Sequence, residues 1–211
     1  MKVLVIGGNG RVGSLLVKKL ASKHQVLSGS RNPKPENNLD NIEQVYIDLL
    51  SDVDTIAESL NGVDAVYFVS GSRGKNLLQI DLHGAIKSMQ ASEKAGVKRY
   101  IMLSSVFALQ PECWNKSFLS NLTDYNIAKH YADLYLTTQA RLNYTILQPG
   151  ALKEEAGTGK IETNVTNPES NSIANVVDTL FALLENNSTI GKVILMHDGN
   201  TPIDEALNQL Q

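Results

Sequence analysis

A short apolar run, Lys2-Val-Leu-Val-Ile6, passes directly into Gly7-Gly8-Asn9-Gly10-Arg11-Val12-Gly13, and an amphipathic helical pattern begins at once behind it. That order of strand, glycine turn and helix constrains the fold more than any other feature of the chain. Gly7 and Gly10 let the backbone turn tightly without Cβ atoms, so an anion can approach the main-chain N–H groups. The helix starting near Arg11 offers its positive dipole end at the same point. Gly13 lets that helix lie close on the strand. A pyrophosphate suits such a turn, and a dinucleotide is its usual bearer. Gly7, Asn9, Gly10, Arg11, Val12 and Gly13 are therefore the expected cofactor contacts at this end.

The rest of the chain repeats the alternation. Short β-rich runs at 2–6, 25–27, 44–47, 64–69, 99–103, 144–147 and 192–196 are separated by longer helical patterns. Most of the runs are almost continuously apolar, as in a parallel sheet covered on both faces. Among the helices, Val12, Leu15, Leu16 and Leu20 share a face, as do Leu82, Ala85, Ile86 and Met89, with Gly96 placed as a left-handed cap. Ile173, Val176, Val177, Leu180, Phe181 and Leu184 form the clearest stripe, and a last helix is expected from Thr201-Pro202, with Asp204 supporting its cap. The expected fold is α/β: one doubly wound, Rossmann-type parallel sheet over 1–211 with a small C-terminal substrate lobe. Two polar stretches, 107–124 and 151–172, break the rhythm after strand ends, at the sheet edge where ligands bind, and are the expected lobe segments. Phe107, Trp114 and Phe118 either line an aromatic-accepting pocket there or form a small core.

The residues after the second strand select the cofactor. Binders of NAD usually carry Asp or Glu there for the ribose hydroxyls. This chain has Ser30-Arg31-Asn32-Pro33, with Lys34 next to it and Arg11 in the glycine loop. Two guanidinium groups suit a 2′-phosphate, so the pattern favours NADP over NAD. Asp48 and Leu49, after the third strand, are expected beside the adenine, although Asp48 or Ser51 could instead cap the next helix. Val69, Ser70 and Gly71, after the fourth, are expected to border the adenine ribose and pyrophosphate.

Composition removes several function classes. The net charge of −3 is spread without a basic run, which argues against a nucleic-acid partner. No apolar stretch reaches membrane-spanning length, and the apolar start is too short for a signal peptide. A single cysteine, Cys113, permits no internal disulfide and agrees with a reducing, cytoplasmic setting. His24, His83, His130 and His197 are scattered without metal-ligand spacing and read as surface or packing residues.

Several longer segments are recognisable as a family pattern. IGGNGRVG, SRNP, DLHGAIKSMQASEKAGVKRYIMLSS, YNIAKHYAD, NYTILQPGAL, GTGKI and IGKVILMHDGNTPIDEAL together span nearly the whole chain. It resembles the short-chain dehydrogenase/reductase superfamily, and more narrowly its atypical branch of small NAD(P)-binding, epimerase/dehydratase-like, NmrA-like and flavin-reductase-like proteins. Tyr125-Asn-Ile-Ala-Lys129 matches the YxxxK motif of that superfamily, a spacing that puts both side chains on one helical face. The resemblance implies that Tyr125 gives a proton to a developing alkoxide and that Ser105 holds the carbonyl oxygen. Lys129 would ease proton loss from Tyr125 and bind the nicotinamide ribose. Pro149-Gly150 matches the family turn against the nicotinamide, but Gln148 stands where many relatives carry Arg, which removes a positive charge.

The expected function is NADP-dependent reduction of a small carbonyl, quinone or flavin-like acceptor. A cofactor-sensing regulator without turnover is the alternative, since the intact Ser105, Tyr125 and Lys129 favour an enzyme. A sugar-nucleotide epimerase is less favoured, because the chain after Pro149 is short for enclosing a nucleotide sugar. The helices over 77–95 and 125–139 are where related enzymes often pair, which points to a homodimer.

Overall fold

The computed structural model describes residues 1–34 and 39–210. Its centre is a parallel sheet of β1 (Lys2–Ile6), β2 (Gln25–Ser30), β3 (Ile42–Tyr46), β4 (Ala65–Phe68), β5 (Arg99–Leu103), β6 (Asn143–Pro149) and β10 (Lys192–Asp198). Their spatial order is β3-β2-β1-β4-β5-β6-β10. The chain winds outward from β1 to β3, then returns to the other side of β1 at β4. That reversal opens a crevice at the carboxyl ends of β1 and β4, where the glycine loop emerges.

Helices cover both faces, which is why the inner strands β1, β4 and β5 are buried almost throughout. On one side, α1 (Arg11–Leu20), α5 (Ile173–Glu185) and α6 (Ile203–Asn208) pack over Val3, Val5, Tyr67 and Ile101. On the other, α2 (Val53–Glu58), α3 (His83–Lys94) and α4 (Thr123–Thr138) share a core with Leu4, Ile6, Val66, Phe68 and Met102. A π-helical turn, Leu77–Leu82, leads into α3. Gly96 ends that helix at φ +75°, as its position predicts. No helix among the described residues is long and apolar enough to cross a membrane.

The details depart from the sequence reading in a few places. Leu15 is 45% exposed, and Val17 is buried in its stead. The buried face of α1 therefore runs through Val12, Leu16, Val17 and Leu20, and Leu15 falls on its solvent edge. Asp52, rather than Asp48 or Ser51, caps α2, accepting a hydrogen bond from the Thr55 N–H. Thr201–Pro202 is not helical: it forms a short strand, β11, antiparallel to β8 (Lys160–Glu162), and α6 begins only at Ile203. Pro at such an outer strand leaves no ladder bond unmade.

The two lobe segments take different forms. Residues 107–124 hold two 3₁₀ turns, Pro111–Cys113 and Ser117–Asn121, before α4 starts. In the second segment, β7 (Ala151–Lys153) and β9 (Ser170–Ser172) form a separate parallel pair, while β8 extends the main sheet antiparallel to β10. Phe107 and Leu119 close a small core with Val106, and Phe118 packs against it. Trp114 Nε1 donates to the Phe107 carbonyl at 2.9 Å.

Candidate active site

The glycine loop is held by the backbone. Gly7 and Gly8 N–H groups both donate to the Gly29 carbonyl, at 2.9 and 3.1 Å, and the Gly10 N–H donates to the Gly7 carbonyl. Gly7 lies at φ +94°, and a Cβ there would come within 2.8 Å of the Ser70 backbone. At Gly13 a Cβ would overlap the Gly7 carbonyl. Both positions accept only glycine without rearrangement. Gly10 caps α1 with no side-chain hydrogen bond, and the first turn holds no acidic residue. The leading N–H groups of α1 therefore face the crevice unsatisfied by the chain, a cradle for a phosphate.

An open cleft of about 770 Å³ runs from this loop across the carboxyl edge of the sheet. Gly7, Asn9, Gly10, Arg11, Val12, Arg31, Leu49, Val69, Ser70, Gly71, Tyr125 and Lys129 line it, as the sequence suggests. Gly13, Asp48, Ser105, Pro149 and Gly150 are not among its lining residues. Gly13 acts from behind, through helix packing. Asp48 accepts from the Leu50 N–H at 2.9 Å and so shapes its own turn. Gly150 permits close approach to the lobe, since a Cβ there would overlap the Glu169 carbonyl. Ser105 is buried, and its neighbour Ser104 lines the cleft instead. Successive residues at a strand end point to opposite sides, which separates the two serines.

The cleft is electropositive. Its lining carries Arg11, Arg31, Arg73, Lys75 and Lys129 against one carboxylate, Asp81. Arg73 and Lys75 are absent from the sequence reading, although their place in the loop after β4 could have marked them. Asp81 is buried and accepts from the Ser72 N–H at 3.0 Å, and Ser72 Oγ accepts from the Asn76 N–H. These bonds fix a loop in which Arg73 sits at φ +55°, a strained setting for a non-glycine residue. Asn9 Nδ2 donates to Ser30 Oγ at 2.8 Å and to the Asn32 carbonyl at 3.0 Å, tying the glycine loop to the turn that carries Arg31. Arg31 has no ion-pair partner among the described residues, whereas exposed Arg11 lies 3.6 Å from Glu154.

At the other end, α4 brings Tyr125 and Lys129 together. Lys129 is 3% exposed, donates to the Leu103 carbonyl at 3.3 Å and stands 5.8 Å from the centre of the Tyr125 ring. The half-buried Tyr125 has no protein partner for its hydroxyl among the described residues. One turn further along, Asp133 is fully buried, and Gln148 Nε2 donates to its Oδ2 at 2.8 Å. Burial raises the Asp133 carboxyl and Ser104, Gln148, Lys129 and His130 oppose the rise, which leaves it at about 6. Gln148 thus meets a buried carboxyl with a neutral amide. His130 is a packing residue, bound through Nδ1 to the Ala108 carbonyl and edge-on to Trp114.

Comparison with known proteins agrees with this geometry. A family model described as NAD(P)H-binding matches residues 7–187. The oxidoreductase ylbE from Lactococcus lactis superposes with a TM-score of 0.95 at 48% identity, over 100% of this chain and 96% of that one. An uncharacterized sugar epimerase of Bacillus subtilis is 36% identical over the full length of both chains. Sanguinarine reductase of Eschscholzia californica is 24% identical over 74% of this chain and 71% of its own. A glycine cradle, a cationic cleft and a matching family model over most of the length lead to one conclusion: the chain belongs to the NAD(P)H-binding Rossmann family.

Proposed function

We propose that this chain is an NADP-dependent reductase of a small carbonyl, quinone or flavin-like acceptor. The observation that carries the reading is that the uncapped start of α1 and the Tyr125–Lys129 pair line one continuous cleft. The loop that holds a dinucleotide pyrophosphate and the groups suited to proton transfer are thereby within one ligand's span. When bound, the nicotinamide supplies a hydride to the acceptor carbonyl carbon. Tyr125 gives its proton to the oxygen of that carbonyl, completing the addition of two hydrogens. The Lys129 ammonium beside the ring stabilises the negative charge left on the phenol oxygen and donates to the ribose hydroxyls. Ser105 is the expected donor to the acceptor oxygen.

NADP is favoured over NAD by Arg31, which is exposed and has no ion-pair partner among the described residues, and by Arg11, which lines the same cleft. Arg11 has to release Glu154 to take part, and an exposed ion pair of this kind costs under about 1 kcal/mol to break. The names of the Bacillus and Eschscholzia relatives point to epimerase and reductase chemistry respectively. The reductase reading is supported by the lobe, which amounts to the β7–β9 pair and the β8 extension and offers little wall for a nucleotide sugar. The half-buried Cys113, alone of its kind, supports a cytoplasmic setting. Exposed Ile127, Tyr131 and Leu134 form a stripe along α4 that supports pairing of two copies.

The test is NADPH oxidation against a panel of quinones, flavins and small aldehydes. Tyr125→Phe should leave NADPH affinity within a few-fold and lower turnover by roughly 10²–10⁴. NADPH binding without oxidation of any acceptor would favour the cofactor-sensing reading instead.

A further inference from the structure

Lys129 is a buried ammonium whose hydrogen bond goes to a carbonyl, which leaves its charge without a direct ion pair among the described residues. A buried carboxyl, Asp133, lies one helical turn away on the same face of α4, and Lys129 acts on it. Asp133 is wholly enclosed. One of its oxygens is satisfied by Gln148 from β6, and the other has no hydrogen-bond partner. Ser104 faces it from the end of β5, and Lys129 and His130 act on it from α4. No other charged group acts on it among the described residues.

A carboxyl so enclosed is costly unless its charge is matched, so its retention calls for a purpose. The pairing here is reciprocal: the buried ammonium needs a counter-charge, and the buried carboxylate needs a cation. Gln148 fixes the carboxyl from behind without neutralising it, leaving the negative charge to act on Lys129 and Ser104. Both of those residues line the cleft, while Asp133 does not.

We propose that Asp133 is a positioning residue: it acts from beneath the cleft floor to hold Lys129 and Ser104 toward the nicotinamide end of the dinucleotide. The proposal rests on the assignment of Lys129 to the dinucleotide made above. As a carboxylate, Asp133 orients the Lys129 ammonium and accepts from the Ser104 hydroxyl after a small rotation. Once protonated, it releases its hold on the ammonium. Because burial has lifted its titration to about 6, the exchange falls within an accessible pH range.

The test is NADH affinity of the full chain from pH 5 to pH 7.5, followed by nicotinamide fluorescence. NADH is the probe because it lacks a 2′-phosphate, a group that titrates near about 6 itself. The expected result is a step near pH 6, with binding about tenfold tighter above it, the effect of roughly one pKa unit of coupling. Asp133→Asn should abolish the step and bind NADH at every pH as the natural chain does at its low-pH end, and Asp133→Glu should restore part of it. A step that persists unchanged in Asp133→Asn would overturn the proposal. Should that variant fail to fold, the natural chain still decides: a flat affinity profile, or an Asp133 carboxyl carbon that does not titrate between pH 5 and 7 by NMR, overturns it. Dinucleotide binding with no pH step defeats this proposal alone, whereas no binding at any pH defeats the reductase reading with it.

Discussion

The two ends of the cleft are built by different means. At the end proposed for the phosphates the groups are main-chain N–H donors of the glycine loop and exposed Arg11 and Arg31, on two turns that Asn9 ties together. At the end proposed for the reaction they are buried side chains from three separate places: Ser104 just after β5, Lys129 and Asp133 on α4, and Gln148 on β6. The first design depends on backbone shape and tolerates solvent. The second depends on low dielectric surroundings and fails if one partner is lost. Substitutions at the phosphate end should therefore act through fit and screened charge, and substitutions at the reacting end through pH.

The largest effect on cofactor binding belongs to the backbone-built end. In Gly13→Ala the new methyl overlaps the Gly7 carbonyl, so the loop must shift. NADPH affinity should fall about a hundredfold, or roughly 3 kcal/mol, measured by fluorescence titration, with unfolding followed alongside to separate loop movement from loss of fold. Unchanged affinity would mean that the phosphate end does not depend on that close approach.

An effect of about the same size separates the reacting end. The Asp133 carboxyl titrates near 6 in the folded chain against 3.8 in its absence, so its proton-bound form favours folding. That contribution is fully present below about pH 3.8 and is lost as pH rises through about 6. The neutral Asp133→Asn side chain does not lose it. Between pH 4 and pH 7.5 the variant should gain on the natural chain by up to about 3 kcal/mol in urea unfolding. Parallel pH profiles for the two chains would place the titrating group elsewhere. A variant that gains stability while losing NADH affinity would carry the mark of a residue retained for function.

The smallest effect returns to the phosphate end. Arg31→Ala should weaken NADPH about tenfold, the worth of one charge-assisted hydrogen bond, while NADH binding barely changes. Equal losses for both dinucleotides would show that Arg31 acts as a general cation and does not read the 2′-phosphate.

The same contrast governs what the sequence discloses. The glycine loop, the seven parallel strands and the SRNP turn are local patterns, each read from neighbours in the chain, and the structure contains all seven strands with ends that differ by up to three residues. Strand β2 runs on through Gly29 and Ser30 because backbone pairing with β3 continues where apolar character stops. The Thr201-Pro202 strand was hidden because its partner, β8, lies some forty residues earlier and only tertiary pairing reveals it. Lys129 was visible through its spacing from Tyr125. Asp133 was not, since nothing in one helix reveals that Gln148 and Ser104 will enclose it. Even Gln148, noticed as a departure from the family pattern, is understood only once Asp133 is found against it.

The most direct test of the central claim is a side-by-side titration of the cofactor-free chain with NADPH and NADH at one ionic strength. The account predicts that both bind in the glycine-loop cleft and that NADPH binds at least about tenfold tighter, from one charge-assisted contact to the 2′-phosphate. Equal affinities would contradict the assignment of Arg31 and Arg11, and failure of either dinucleotide to bind would contradict the account as a whole.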